Sequence, residues 1–153
     1  MLMNRKKIGL LGGYLLLLGV AMLQVGCSSF SKQWRASTHA PIPGATLEGP
    51  WEGKWISDVN GHNGRLRCIV THSSDNRYDA LFQAKYEHIL TFSYTVPIEV
   101  RRDGNSWVFD GEADLGKMAG GVYTYQGAVT SSNFFSTYDN KYDHGKFQLK
   151  RPE

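Results

Sequence analysis

Between Trp51 and Lys150 the side chains switch between apolar and polar at almost every residue, and this period of two decides what the chain can become. Successive side chains of an extended strand point to opposite faces, so alternation makes a ribbon with one greasy and one wet side. The clearest run is Ile89–Arg101, where Leu90, Phe92, Tyr94, Val96, Ile98 and Val100 alternate with Thr91, Ser93, Thr95, Pro97 and Glu99. Arg77–Tyr86 repeats the pattern, with Leu81 as its one exception. Gly, Asn, Asp and Ser clusters punctuate the runs, which predicts eight strands: Trp51–Ser57, Arg65–His72, Arg77–Tyr86, Ile89–Arg101, Ser106–Ala113, Val122–Thr130, Asn133–Tyr138 and Gly145–Lys150. No stretch carries a 3.6-residue period of useful length, so the domain is expected to be all-β.

Each connection is too short for a crossover, so neighbours in sequence are expected to pair antiparallel. Eight meandering strands with one apolar face close most simply into a single up-and-down β-barrel, which leaves no edge unpaired; an open sandwich is the alternative. A membrane-spanning barrel would alternate in the same way, but it needs strands of ~9–11 residues and several of these are shorter. The meander also sorts the loops between two ends. One end collects Asp58, His62, Glu87, His88, Asp114, Asp139, Asp143 and His144. The other collects Arg77, Arg101, Arg102, Lys150 and Arg151, a basic set suited to anionic lipid.

The first strand opens Gly49-Pro50-Trp51-Glu52-Gly53-Lys54-Trp55. Two successive Gly-x-Trp triplets at the head of an eight-strand meander resemble lipocalin and avidin-like barrels of the calycin type. The resemblance implies that Trp51 or Trp55 plugs one end of the barrel and that Lys150 or Arg151 packs across it. From Pro50 to Arg151 the pattern, including Asn60-Gly61-His62-Asn63-Gly64 and Gly120-Gly121-Val122-Tyr123, is also similar to uncharacterised small bacterial envelope lipoproteins. That likeness implies no activity.

Ahead of the barrel, Arg5, Lys6 and Lys7 precede an uncharged run from Ile8 to Gly26 and then Cys27-Ser28-Ser29. A basic start, an apolar core and small residues before a cysteine read as a secretory signal. Ending at Val25-Gly26-Cys27, it resembles a bacterial lipoprotein signal. The resemblance implies that residues 1–26 form a signal helix that is removed and that Cys27 becomes the first mature residue, carrying acyl chains such as palmitate. Gln24 departs from the family's apolar preference, and an uncleaved anchor or plain secretion are the alternatives, since the run approaches the ~20 residues that span a bilayer. All three place the domain in the cell envelope, outside the cytoplasm. Ser28 resembles lipoproteins sorted to an outer rather than an inner membrane. Residues 27–50, rich in Ser, Thr, Pro and Gly, are expected to be a flexible tether, and 51–151 the barrel.

The formal charge of +3 resides wholly in Arg5, Lys6 and Lys7, so the remainder is balanced and a case for nucleic acid disappears with the signal. With Cys27 acylated, Cys68 has no partner, and its strand-like surroundings suit a buried, inert thiol. No Gly-x-Ser-x-Gly, His-Glu-x-x-His or phosphate-cradling glycine loop is present, so no catalytic residue and no cofactor is predicted. The histidines and acids of the loop-rich end lack metal-ligand spacing and read as solvated turns, so no metal is predicted either.

Aromatics on the inward face say more. Trp55, Tyr78, Tyr86, Tyr94, Tyr123 and Tyr125 supply apolar walls with a few hydroxyls, the composition of a ligand pocket. An eight-strand barrel is also just wide enough to be filled by its own side chains. The expectation is therefore a non-catalytic envelope protein that holds a small apolar or amphipathic ligand. The alternative is a filled, structural or inhibitor-like module that contacts an envelope protein.

Overall fold

The computed structural model describes residues 29–42, 44–86 and 90–153. Eight strands, β1 (Gly49–Ser57), β2 (Asn63–Ser74), β3 (Arg77–Tyr86), β4 (Leu90–Asp103), β5 (Ser106–Asp114), β6 (Val122–Val129), β7 (Asn133–Asp139) and β8 (His144–Lys150), form one closed barrel in sequence order. Every neighbouring pair is antiparallel, and β8 returns to β1 with Phe147 opposite Trp55. Strand ends fall within two residues of those read from the alternation. The sheet closes on itself, so the sandwich alternative is set aside. An eight-stranded antiparallel barrel of this kind is consistent with a calycin-like fold.

Register decides which face is inside. Cross-strand partners Cys68 and Phe82, Val70 and Ala80, and Ala80 and Val96 all point inward and are at most 2% exposed. Phe82 sits at the centre, with ring centroids 5.5 Å from Tyr94, 5.3 Å from Phe147 and 6.4 Å from Phe134. Such offset and edge contacts add to the burial of three large rings. Cys68 is a free thiol with no exposed surface, and burial pushes its pKa well up, which keeps it protonated and unreactive. The outward set carries charge instead: Glu52, Arg65, Arg101 and Asp110 face solvent in pairs across neighbouring strands.

One row breaks this rule. Pro50, Ile69 and Leu81 are register partners on the outer face, yet Ile69 is only 5% exposed and Pro50 is buried. A helix over residues 29–39 lies on this side of the barrel. Its Phe30 is 1% exposed and stacks on Trp34 at 6.0 Å, while the Arg67 guanidinium of β2 lies over the Trp34 ring at 4.7 Å. The flexible tether expected over 27–50 is corrected accordingly, for the described part of it includes a helix packed on the barrel. Two aromatics four residues apart make one helical stripe, too short to register as periodicity. The signal stretch 1–26, Cys27, Glu87 and His88 lie outside the described residues. Among the described residues no helix is long and apolar enough to cross a membrane.

At the end where the chain enters β1 and leaves β8, the barrel is sealed. Trp51 has no exposed surface and its indole N–H donates to the Leu47 carbonyl at 3.0 Å. The Arg151 guanidinium lies over the Trp51 ring at 3.7 Å, donating from Nη1 to the Pro50 carbonyl at 3.1 Å and from Nη2 to that of Thr46 at 2.6 Å. Of the plug and partner left open by the resemblance, Trp51 and Arg151 take the places. Burial lowers the Arg151 pKa to about 10, which leaves it charged at neutral pH. The other cations of this end are occupied too. Arg77 pairs with Glu99, Arg101 with Asp110 and Lys150 with Glu153, while Arg102 stacks on Trp107 at 4.3 Å. The free positive face expected there is thus largely neutralised.

Because a planar fork over a ring cannot be replaced by an ammonium, Arg151→Lys is expected to lower stability by about 1–3 kcal/mol in urea unfolding. Trp51→Ala should cost about 3–5 kcal/mol. The double variant should cost less than both together, because the two residues act on each other; strict additivity would show that they do not.

Candidate functional site

The opposite end is open. A cavity of about 720 Å³ lies at this end, lined from β1, β3, β4, β6, β7 and β8 and by residues of the β5–β6 and β7–β8 loops. Trp55, Tyr86, Tyr94, Tyr123 and Tyr125, all expected from the alternation, line it together. Tyr78, the sixth, does not. It packs on the core near the sealed end with its ring 4.9 Å from His72. Tyr78 and Tyr86 share a face of β3, but eight residues at ~3.3 Å each put them at opposite ends of the barrel. Phe92, another inward position, stands at the lip and is 47% exposed rather than in the core.

Hydrogen bonds fix the walls. The Trp55 indole N–H donates to the Lys85 carbonyl at 3.1 Å, and its ring stacks on Tyr86 at 5.8 Å. That approach needs a glycine opposite, since a Cβ on Gly64 would fall 1.9 Å from the Lys85 oxygen and 2.7 Å from the indole nitrogen. The Tyr86 hydroxyl in turn meets His62 Nδ1 at 2.7 Å. On the other side, the Tyr123 hydroxyl donates to the Ala119 carbonyl at 2.9 Å, drawing the β5–β6 loop across the rim. Asn140 ties the β7–β8 loop to it by donating from Nδ2 to the Gly120 carbonyl at 3.1 Å. Gly120 holds φ 98°, and a side chain there would strike Asn140 at 2.5 Å. Leu115, Met118 and Ala119 of the β5–β6 loop complete the lip.

Among the described residues a single charged side chain reaches this space, the carboxylate of Asp143. Ser57 Oγ donates to its Oδ1 at 2.6 Å and the Tyr138 hydroxyl to its Oδ2 at 3.2 Å. Asn140 Oδ1 accepts the Asp143 backbone N–H at 2.7 Å, so the residue is held from both sides. Tyr138 and Asp143 escaped selection from sequence as pocket residues. Tyr138 continues the inward alternation of β7 and was legible; Asp143 sits in a turn where an aspartate is ordinary.

The phenols are strongly weakened as acids. Burial, and the neighbouring Tyr125 phenol, push the Tyr94 hydroxyl well above its ordinary value. Burial raises Tyr125, and burial followed by the Asp143 charge raises Tyr138. These groups present neutral O–H dipoles at any physiological pH, suited to orienting a ligand rather than to accepting its protons. Among the described residues no three His, Cys, Asp or Glu side chains cluster as a metal site.

The direction of these shifts sets an alkaline limit. Folded tyrosines with raised pKa values keep their protons when the unfolded chain, near 10, has released them. Their stabilisation is complete below about pH 10 and lost as pH rises beyond it, by up to about 1.4 kcal/mol per pH unit per tyrosine. Urea midpoints should fall between pH 10 and 11.5, and less steeply in Tyr94→Phe; a flat profile would contradict the buried phenols.

No protein-family model, no curated protein and no solved structure matches this chain.

Proposed function

We propose that this is a non-catalytic, lipid-anchored protein of the cell envelope whose barrel mouth holds a small apolar or amphipathic ligand. The signal of residues 1–26 delivers the chain across a membrane, and Cys27 carries the acyl chains, in an outer membrane in preference to an inner one. The domain then stands outside the cytoplasm, with the membrane as its standing partner and no nucleic acid involved. One observation carries the ligand reading. The barrel is packed solid around Phe82 and sealed by Trp51, yet about 720 Å³ is left open above, walled by aromatic rings with few polar groups. Sites for small ligands have this size and composition.

A second reading has its own support. Leu90, Phe92, Met118 and Val122, all near the mouth, are between 47% and 104% exposed, an apolar rim that an envelope protein could cover. Volume separates the two readings. Purified residues 28–153 should bind the neutral fluorescent probe N-phenyl-1-naphthylamine saturably, one per chain. Ala84→Phe adds bulk to the cavity wall and should abolish binding while leaving the melting temperature nearly unchanged. Ala80→Phe, two inward positions deeper where no space remains, should destabilise by about 1–3 kcal/mol. A probe that binds Ala84→Phe as well as the parent does not sit in the mouth, and the rim reading would then stand alone.

For the anchor, Cys27→Ser should move the protein from the membrane to the soluble fraction of lysed cells if acylation is its attachment. Retention in the membrane would favour an uncleaved apolar anchor.

A further inference from the structure

We infer that the mouth selects amphiphiles with a cationic ammonium or amine head over neutral or anionic ones of the same size. This rests on the mouth being a ligand site, as proposed above. The first ground is charge. Among the described residues Asp143 is the one ionisable acid or base lining the cavity other than the phenols, and no described Lys, Arg or His side chain shares the wall. Among the described residues its carboxylate makes no ion pair and is held by the hydroxyls of Ser57 and Tyr138. A carboxylate has about four acceptor sites, so those two bonds leave capacity directed at a donor. Among the described wall residues an anionic head would meet that carboxylate with no cation to offset it, and a phosphate-bearing zwitterion would find none for its phosphate.

The second ground is the π faces around the same carboxylate. The Tyr123 ring lies 6.3 Å from Tyr125 and 6.2 Å from Tyr138, and Tyr138 lies 5.1 Å from Phe147. All four rings line the cavity, and aromatic rings around a space attract a cation electrostatically, most strongly where water is excluded. The Asp143 charge also reaches these rings, since it is among the causes that raise the phenol pKa values of Tyr123 and Tyr138. The polar head therefore settles near Asp143, and the apolar body lies between Trp55 and Phe92, toward the lip.

Three probes of matched shape test this on the full chain in dodecyl maltoside micelles: (1-naphthylmethyl)trimethylammonium, 1-naphthalenemethanol and 1-naphthaleneacetate. Isothermal titration against protein-free micelles should give a dissociation constant about tenfold lower for the ammonium than for the alcohol, with the acetate weakest. In Asp143→Asn the ratio of the ammonium and alcohol constants should fall below about threefold. Should that variant not fold, Tyr123→Leu, which keeps apolar bulk and removes a ring face, should narrow the same ratio at least twofold. Alcohol or acetate binding as tightly as the ammonium overturns the cation preference and leaves the ligand site standing. Absence of binding by all three overturns both.

Discussion

The contact on which the rest of the barrel depends is the Arg151 guanidinium over Trp51. A closed sheet of eight strands has a seam and two ends, and this one group acts on both. Of the carbonyls it bonds, Thr46 precedes β1 and Pro50 lies within it, while Arg151 follows β8, so the pair clasps the first and last strands together. Loss of the guanidinium would strand two carbonyls and uncover the ring face, a cost larger than the value of the bonds themselves. Trp51 is also the foot of a column of aromatic rings. It touches Phe134 at 5.8 Å, Phe134 meets Phe82, Phe82 meets Phe147, and Phe147 meets Tyr138 in the wall of the mouth. Support for the cavity wall thus runs unbroken from the sealed end.

Side-chain size along the strands explains why space remains only at one end. Near the middle, Phe82 and Phe134 fill the bore, and Val70, Val96 and Val129 take up the remainder. One step toward the mouth, β3 presents Ala84, and its register partner on β4, Phe92, stands at the lip, 47% exposed. Tyrosines then replace phenylalanines on the facing strands β6 and β7, with Tyr123, Tyr125 and Tyr138 around the opening. Their hydroxyls need partners or water, which a solid apolar core would deny them. A filled half and an open half therefore follow from one alternating pattern in which residue volume changes along the strand.

That distinction marks how far the sequence could be read. Alternation is a property of adjacent residues, so strand bounds, antiparallel pairing and the inward set were legible before any coordinate. Height in the barrel is not adjacent information. Tyr78 and Tyr86 look alike on β3, and only register against β2 and β4 puts one beside His72 and the other beside Trp55. Asp143 gains its role from Ser57, 86 residues away, which no local pattern records. Leu81 was a different case. Its break in the alternation was visible, and with Ile69 beside it on β2 it marked an outer row that something had to cover.

The covering helix changes how an anchor would act on the barrel. A flexible linker of the kind expected over 27–50 would leave the domain free to tumble above a membrane. The first described residue of the helix is 29, and Cys27 precedes it by two positions, at most about 7 Å of chain. Phe30, with 1% of its surface exposed, and Trp34 under Arg67 then couple that point to the outer wall of β2. Orientation at the lipid surface would follow from this packing and not from attraction of the basic end, whose arginines already hold acids or rings. Paired surface charges offer little further to a distant anion. An aromatic stripe of one helical turn would in this way do what the charge pattern of the loops cannot.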